Sequence, residues 1–264
     1  MTASLSSFGA DLAAIAYDAG RLILKHYAQG AAVRRKADES PVTAADEEAE
    51  ALILARLAQL APGVPVIAEE EVAAGRVPEL GQRFFLVDPL DGTKEFLNRN
   101  DEFTVNIALI EDGKPICGVV LAPAKGRAFV GEGESGAFEI PAPGDGALYL
   151  RAARRIAARK APAGGLIAIA SRTHRDTMID EYLARYPVAE VIAAGSSLKF
   201  ALVAAGEADL YPCHGMTMEW DTAAGQAVLE SAGGSVKTLD GAVLRYGKVE
   251  QGFANPHFIA RGLA

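Results

Sequence analysis

Two cysteines in 264 residues cannot build a disulfide framework, and the pair Cys117 and Cys213 suits a reducing, cytoplasmic setting. Basic residues are the minority: 26 Lys and Arg stand against 34 Asp and Glu, a net charge of −8. That balance argues against nucleic acid as a stable partner, because phosphate backbones call for a basic face. It does not oppose a small phosphorylated substrate held through metal ions. No run approaches the roughly 20 apolar residues that span a bilayer. The start, Met1-Thr2-Ala3-Ser4-Leu5, lacks the basic region and long apolar stretch of a signal peptide. Neither a membrane span nor a secretory leader is expected, while peripheral attachment at the inner membrane and the oligomeric state stay open. Repeats and low-complexity tracts are missing as well. What is present is a chain that is 50% hydrophobic, enough for a large core in one big domain or two ordinary ones.

Helical periodicity covers residues 8–27, with Gly30 as an exit. Thr43-Ala44-Ala45-Asp46 matches a capping box and predicts a helix running to about residue 60, before Pro62-Gly63. A short strand over 64–68 then feeds Glu69-Glu70-Glu71. Residues 103–110, 116–121 and 128–130, separated by Gly-containing turns, read as an antiparallel meander. Pro141-Ala142-Pro143-Gly144-Asp145-Gly146 is the best boundary candidate. Beyond it, strands over 166–170, 189–193 and 208–211 alternate with helices over 176–186, 196–205 and 221–232. That alternation predicts βαβ units and a mostly parallel sheet. The expected fold is α/β: an α+β half over 1–146, an α/β half over 147–264, and a cleft between them.

The most informative segment is Phe84-Phe85-Leu86-Val87-Asp88-Pro89-Leu90-Asp91-Gly92-Thr93. An apolar strand runs into two acids around a proline, with Pro89 and Gly92 expected to stop it. Two carboxylates that close repel each other unless a cation lies between them, and hard oxygen ligands favour Mg²⁺. Acids also cluster at Glu69-Glu70-Glu71 and at Asp221 after Trp220. For those two clusters taken alone, solvation or a favourable place at a helix start is the simpler explanation.

Taken together, Glu69-Glu70, Asp88-Pro89-Leu90-Asp91-Gly92-Thr93 and Trp220-Asp221-Thr222-Ala223-Ala224-Gly225 resemble the inositol monophosphatase superfamily. Further matches are similar to its bacterial 3′(2′),5′-bisphosphate nucleotidase branch: Thr93-Lys94-Glu95-Phe96, the 103–110 strand, Lys36-Ala37-Asp38, 40–46 and Gly195-Ser196-Ser197-Leu198-Lys199-Phe200. The resemblance implies a layered α/β/α/β/α sandwich and a magnesium-dependent, lithium-sensitive phosphatase using two or three Mg²⁺ ions. It implies that Glu69, Asp88 and the main-chain carbonyl of Leu90 hold one ion, and that Asp88, Asp91 and Asp221 hold a second. Asp46 and Thr93 would orient and deprotonate the attacking water, although helix capping also accounts for Asp46 and a backbone hydrogen bond for Thr93.

Substrate contacts are implied at Gly92, Thr93, Ser171, His174, Ser196, Lys199 and Asp221. A helix opening after Asp91 would aim free N–H groups at a phosphate. The same physics applies at Gly195-Ser196-Ser197, where helix capping is the competing explanation. The expected substrate is 3′-phosphoadenosine 5′-phosphate, cleaved to AMP and phosphate. An inositol or sugar phosphatase is the alternative, and a nucleotide-sensing module that does not cleave is a second one. Two details bear on this choice. Tyr211-Pro212-Cys213-His214-Gly215 stands where the branch usually has an arginine that could clamp phosphate, and Glu219 adds an acid near the metals. By contrast, Gly131-Glu132-Gly133-Glu134-Ser135-Gly136 spells G-x-G-x-x-G without a following helix, so dinucleotide binding is not expected. The basic residues Arg151, Arg154, Arg155, Arg159 and Lys160 read as a solvated face.

Overall fold

The computed structural model describes residues 4–30, 33–35, 41–144, 146–171 and 177–263. Helix α1 (Ser7–Gln29) is followed by a small hairpin, β1 (Val33–Arg35) with β2 (Pro41–Thr43), and by α2 (Ala44–Leu60). Then come β3 (Val66–Ala68), the short α3 (Glu69–Ala73), β4 (Arg83–Asp91) and the short α4 (Thr93–Leu97). A meander follows: β5 (Thr104–Glu111), β6 (Lys114–Ala122), β7 (Arg127–Gly131), β8 (Ala137–Pro141) and β9 (Arg154–Ile156). The last part comprises β10 (Leu166–Ser171), α5 (Thr177–Leu183), β11 (Val188–Ala194), α6 (Leu198–Ala204), β12 (Leu210–Cys213), α7 (Glu219–Ser231), β13 (Ser235–Thr238) and β14 (Phe258–Arg261).

Strands β3 to β9 form one seven-stranded sheet in sequence order, antiparallel except for β3 beside β4. Both faces of it are covered, which is why its strands are almost uniformly apolar. Alternation sorts the side chains: Phe85 and Val87 of β4, with Val105, Ile107 and Leu109 of β5, join the core under α1 and α2. Phe84 and Leu86, with Ala108 and Ile110, join the opposite core beneath α6 and α7. A second, five-stranded sheet has the order β11-β10-β12-β14-β13. Its inner face meets the α6/α7 layer, and α5 covers its outer face through Ile179 and Leu183. The result is the expected stack of helices, sheet, helices, sheet and helix.

Three expectations change. The second sheet is mixed: β10 pairs in parallel with β11 and β12, whereas β14 runs antiparallel to both β12 and β13. Strands β13 and β14 escaped the periodicity reading because they are four residues each. The sheets part beyond the 141–146 loop, because β9 on its far side still pairs with β8. The halves are also not separated by a simple cleft, since α7 lies on the first sheet. A Cβ at Gly118 would come within 2.7 Å of the Ala227 Cβ and 2.8 Å of the Ala224 carbonyl oxygen, and Gly131 is pressed equally against the Ala227 carbonyl. The glycine-rich 131–136 segment is a tight connection between β7 and β8, where Glu132 accepts from the Ser6 N–H and hydroxyl at the start of α1.

Candidate active site

The Asp-Pro segment does not end its strand. β4 continues through Pro89 to Asp91, and a bulge absorbs the proline. Asp88 lies opposite Asn106 and Asp91 opposite Thr104, so three steps on β4 match two on β5. In a regular strand, residues three apart face opposite sides of the sheet; the extra residue restores parity and turns both acids to the α6/α7 face. Pro89, with no N–H to give, suits the unpaired position. Immediately after, Gly92 takes φ 91°, a left-handed conformation that favours glycine, and α4 begins.

Each acid is tied by a backbone or neutral side-chain donor. Asp88 Oδ1 accepts the Leu90 N–H at 3.0 Å. Asp91 Oδ2 accepts the Ser197 N–H at 2.6 Å, and lies 2.9 Å from Ser197 Oγ and 3.3 Å from Asn106 Nδ2. The Ser197 hydroxyl also reaches the Asp221 carbonyl, and Asn106 Nδ2 donates to Ser197 Oγ at 2.9 Å. Asp221, at N3 of α7, accepts the Met218 N–H at 2.7 Å. Asp46 is buried and does two things at once. Its Oδ2 takes the Thr43 N–H at 2.8 Å and the Thr43 hydroxyl at 2.6 Å, closing the capping box. Its Oδ1 faces the Thr93 hydroxyl at 3.3 Å, and that hydroxyl is also 3.4 Å from the Leu90 carbonyl. Capping and a water-activating role are therefore compatible.

Among the described residues, these charges are not fully compensated. Burial pushes the Asp221 carboxyl well above the usual carboxylate range, and Asp91 and Glu69 push it further, against the Met218 N–H and Lys199. Burial likewise raises Asp91, opposed by Lys199 and by its Ser197 and Asn106 hydrogen bonds. Asp46 is raised by burial too, with Glu69 adding to it while Thr43 pulls down. Glu69 thus acts on both Asp46 and Asp221, and Asp91 acts on Asp221. Among the described residues, no three His, Cys, Asp or Glu side chains form a ready-made metal cage. The donors that are present, carboxylates and main-chain carbonyls, are hard oxygens of the kind Mg²⁺ takes beside its waters and phosphate oxygens.

The sequence-predicted residues divide clearly. Asp46 and Thr93 meet directly, and Ser197 ties the Asp91 carboxylate to the main-chain carbonyl of Asp221. Ser196 and Ser197 do not cap α6 with their side chains: Ser196 Oγ donates to the Glu102 carbonyl, and Ser197 serves the acids. Lys199 is buried with its Nζ on the Ser196 carbonyl at 2.7 Å and 5.2 Å from the Tyr211 ring centre, facing the Asp91 and Asp221 charges. Ser171 closes β10, but its side chain lies outside the described residues, as do all of His174, Lys36, Asp38 and Ser40. Glu219 does not add charge to the acid group. It is fully buried and takes the Gly247 and Lys248 N–H groups and the Lys248 ammonium at 2.6 to 2.8 Å. Cys213 and His214 are both buried. Burial raises the Cys213 thiol, and His214 packs edge-on to Tyr182. Arg154 and Arg159 are structural, paired with Glu139 and Asp209.

Sequence reasoning overlooked Ser197, Asn106, Glu102 and Glu50 as parts of the site's framework. Asn106 carried a signal, as an amide on the covered face of an apolar strand must find polar partners. Glu50 carried none: its two oxygens accept the Glu70 and Glu71 N–H groups at 2.8 and 3.0 Å, a pairing visible only once α2 meets α3.

The pattern of the inositol monophosphatase family matches residues 6–262. A 3′(2′),5′-bisphosphate nucleotidase CysQ from Salmonella typhimurium is 44% identical over 247 residues, covering 92% of this chain and 95% of that protein. Its namesake from Escherichia coli K12 is 43% identical with the same coverage. Among solved structures, CysQ from Bacteroides thetaiotaomicron, a bacterial member of the inositol monophosphatase family, shares a TM-score of 0.80 at 35% identity over 97% of each chain.

Proposed function

The chain belongs to the inositol monophosphatase family, and we propose that within it this protein is a magnesium-dependent 3′(2′),5′-bisphosphate nucleotidase. Its substrate on this reading is 3′-phosphoadenosine 5′-phosphate, released as AMP and phosphate. The observation that carries the catalytic part is the Thr93 hydroxyl set between buried Asp46 and the Asp88/Asp91 bulge. Glu69, Asp88, the Leu90 carbonyl, Asp91 and Asp221 would hold two or three Mg²⁺ ions. Bound there, Mg²⁺ supplies an acidified water and positive charge for the leaving oxygen. The protein's own part is positional. Thr93 Oγ1 orients the water, and the proton passes through that hydroxyl to Asp46 Oδ1, whose burial makes it a better base than a solvated carboxylate. The Gly92 and Thr93 amides receive the transferred phosphate at the start of α4. Ser196, Lys199, Ser171 and His174 serve the rest of the substrate, and free, buried Cys117 and Cys213 suit a cytoplasmic setting.

A broader substrate range is the second reading. Buried Cys213 and His214 offer no guanidinium where the family resemblance implies a clamp for a second phosphate. The deciding experiment is phosphate release from the bisphosphonucleotide, inositol monophosphate and fructose bisphosphate in parallel, each with and without Li⁺. Preference for the bisphosphonucleotide with inhibition by Li⁺ supports the proposal. Preference for the inositol ester reassigns the substrate, and release from none of them at saturating Mg²⁺ removes the catalytic reading in favour of a sensing module.

A further inference from the structure

We propose that Glu102 is a positioning residue: it fixes Asp91 from a distance by clamping the turn between β11 and α6. Glu102 is 9% exposed and follows a loop in which Arg99 and Asp101 both take positive φ, 58° and 63°. Its own N–H is held by Asn100 Oδ1 at 3.1 Å. From that fixed post it makes two bonds to consecutive residues of the other half. Its Oε2 accepts the Gly195 N–H at 3.0 Å, and its carbonyl accepts the Ser196 hydroxyl at 2.6 Å.

The clamped turn has no room and little freedom. A Cβ at Gly195 would lie 2.8 Å from Glu95 Cγ and 3.0 Å from the Glu102 carbonyl oxygen. Ser196 sits at φ 46°, in the left-handed region that a serine holds only when its surroundings enforce it. The next residue delivers the result: the Ser197 N–H and hydroxyl both meet Asp91 Oδ2, and the same hydroxyl touches the Asp221 carbonyl. Glu102 and Asp91 belong to the first half, the turn between them to the second. Release of the Gly195 N–H lets Ser196 relax, swings the Ser197 donors and frees the carboxylate of Asp91. Partners that orient a metal-binding carboxylate typically matter about 10- to 100-fold in affinity or activity.

This inference rests on Asp91 being a Mg²⁺ ligand, and the test separates the two. Trp220 is the chain's single tryptophan and neighbours Asp221, so its fluorescence reads Mg²⁺ binding with no substrate present. Glu102→Ala and Glu102→Asp should each raise the Mg²⁺ concentration for half-saturation about 10-fold, the aspartate because it keeps the charge but falls short of Gly195. Glu102→Gln, which keeps an acceptor at full length, should recover most of that loss. If the alanine variant does not fold, the aspartate variant carries the test alone. Unchanged Mg²⁺ binding in the folded variants, with binding lost in Asp91→Asn, overturns the clamp and leaves the metal site standing. A glutamine variant as weak as the aspartate one overturns it as well. Unchanged binding in Asp91→Asn removes the ground for both.

Discussion

Two groups of buried acids in this molecule are treated in opposite ways. Glu139, Asp209 and Glu219 are each met by a cation: Arg127 and Arg154 for the first, Arg159 for the second, Lys248 for the third. Burial pushes Asp209 up, but Arg159 and the Ile167 N–H more than reverse this, and its carboxyl sits below the ordinary range. Asp46, Asp91 and Asp221 are instead held by N–H groups, hydroxyls and an amide, and their carboxyls sit above it. Lys199 does act on Asp91 and Asp221, yet its hydrogen bond goes to the Ser196 carbonyl. The fold has the means to neutralise buried acids and uses them where charge would only cost stability. Around the bulge, among the described residues, it leaves the acids to neutral donors and the distant pull of Lys199, an arrangement suited to taking up a cation.

The sharpest way to break this contrast is to remove charge at the bulge. Asp88→Asn should lower phosphate release by about 1,000-fold or more, since metal-borne charge stabilisation amounts to several kcal/mol. Circular dichroism and melting temperature should stay near those of the unaltered protein; near-normal turnover at saturating Mg²⁺ would discard the assignment. Next, Thr93→Ala should cut kcat about 100-fold while Mg²⁺ half-saturation hardly moves, because the hydroxyl handles the proton. A change confined to Mg²⁺ affinity would instead make Thr93 part of the metal's holder.

On the neutralised side the loss should be one of stability. Asp209→Asn strips Arg159 of its bidentate partner at 2.8 and 3.1 Å, and chemical denaturation should show about 2 kcal/mol less stability with kcat per folded molecule intact. The smallest effect concerns Glu50, which stands between the two groups: its two oxygens accept backbone N–H groups, and burial raises its carboxyl from 4.5 to about 7 despite those Glu70 and Glu71 donors. Between those pH values the folded protein binds a proton that the unfolded chain has released, so stability falls as pH rises through the window. Comparing denaturation at the two ends should show a fall on the order of 1 kcal/mol that is missing in Glu50→Gln.

Much of this site is legible without coordinates. Thr43 and Asp46 are three apart at a helix start, and the capping box forms as spacing requires. The acids of 88–91 declare themselves by interrupting an apolar strand. What sequence cannot display is parity: Asp88 and Asp91 share a face only because a bulge is inserted, and Pro89 reads more simply as a stop. Nor does it display long-range hydrogen bonds such as Asn106 to Ser197 or Glu102 to Gly195, because local spacing holds no trace of them. The second sheet departs from its sequence pattern for a related reason. Strand–helix alternation describes β10 to β12, but two four-residue strands added late in the chain make its other half antiparallel.

The close seat of α7 on Gly118 and Gly131 also sets the order in which the protein can become active during synthesis. The first sheet leaves the ribosome well before the helix that covers its second face, so the nascent chain carries an open groove lined by those two glycines. Such unsatisfied apolar surface attracts chaperones and other chains until its own helix arrives. Asp221 rides in on that same helix and is delivered only when the groove is filled. Of the acids, Asp221 is therefore supplied last, with only β13 and β14 still to follow, and a product broken off before residue 219 would keep Asp88 and Asp91 but lack both the cover and the final carboxylate.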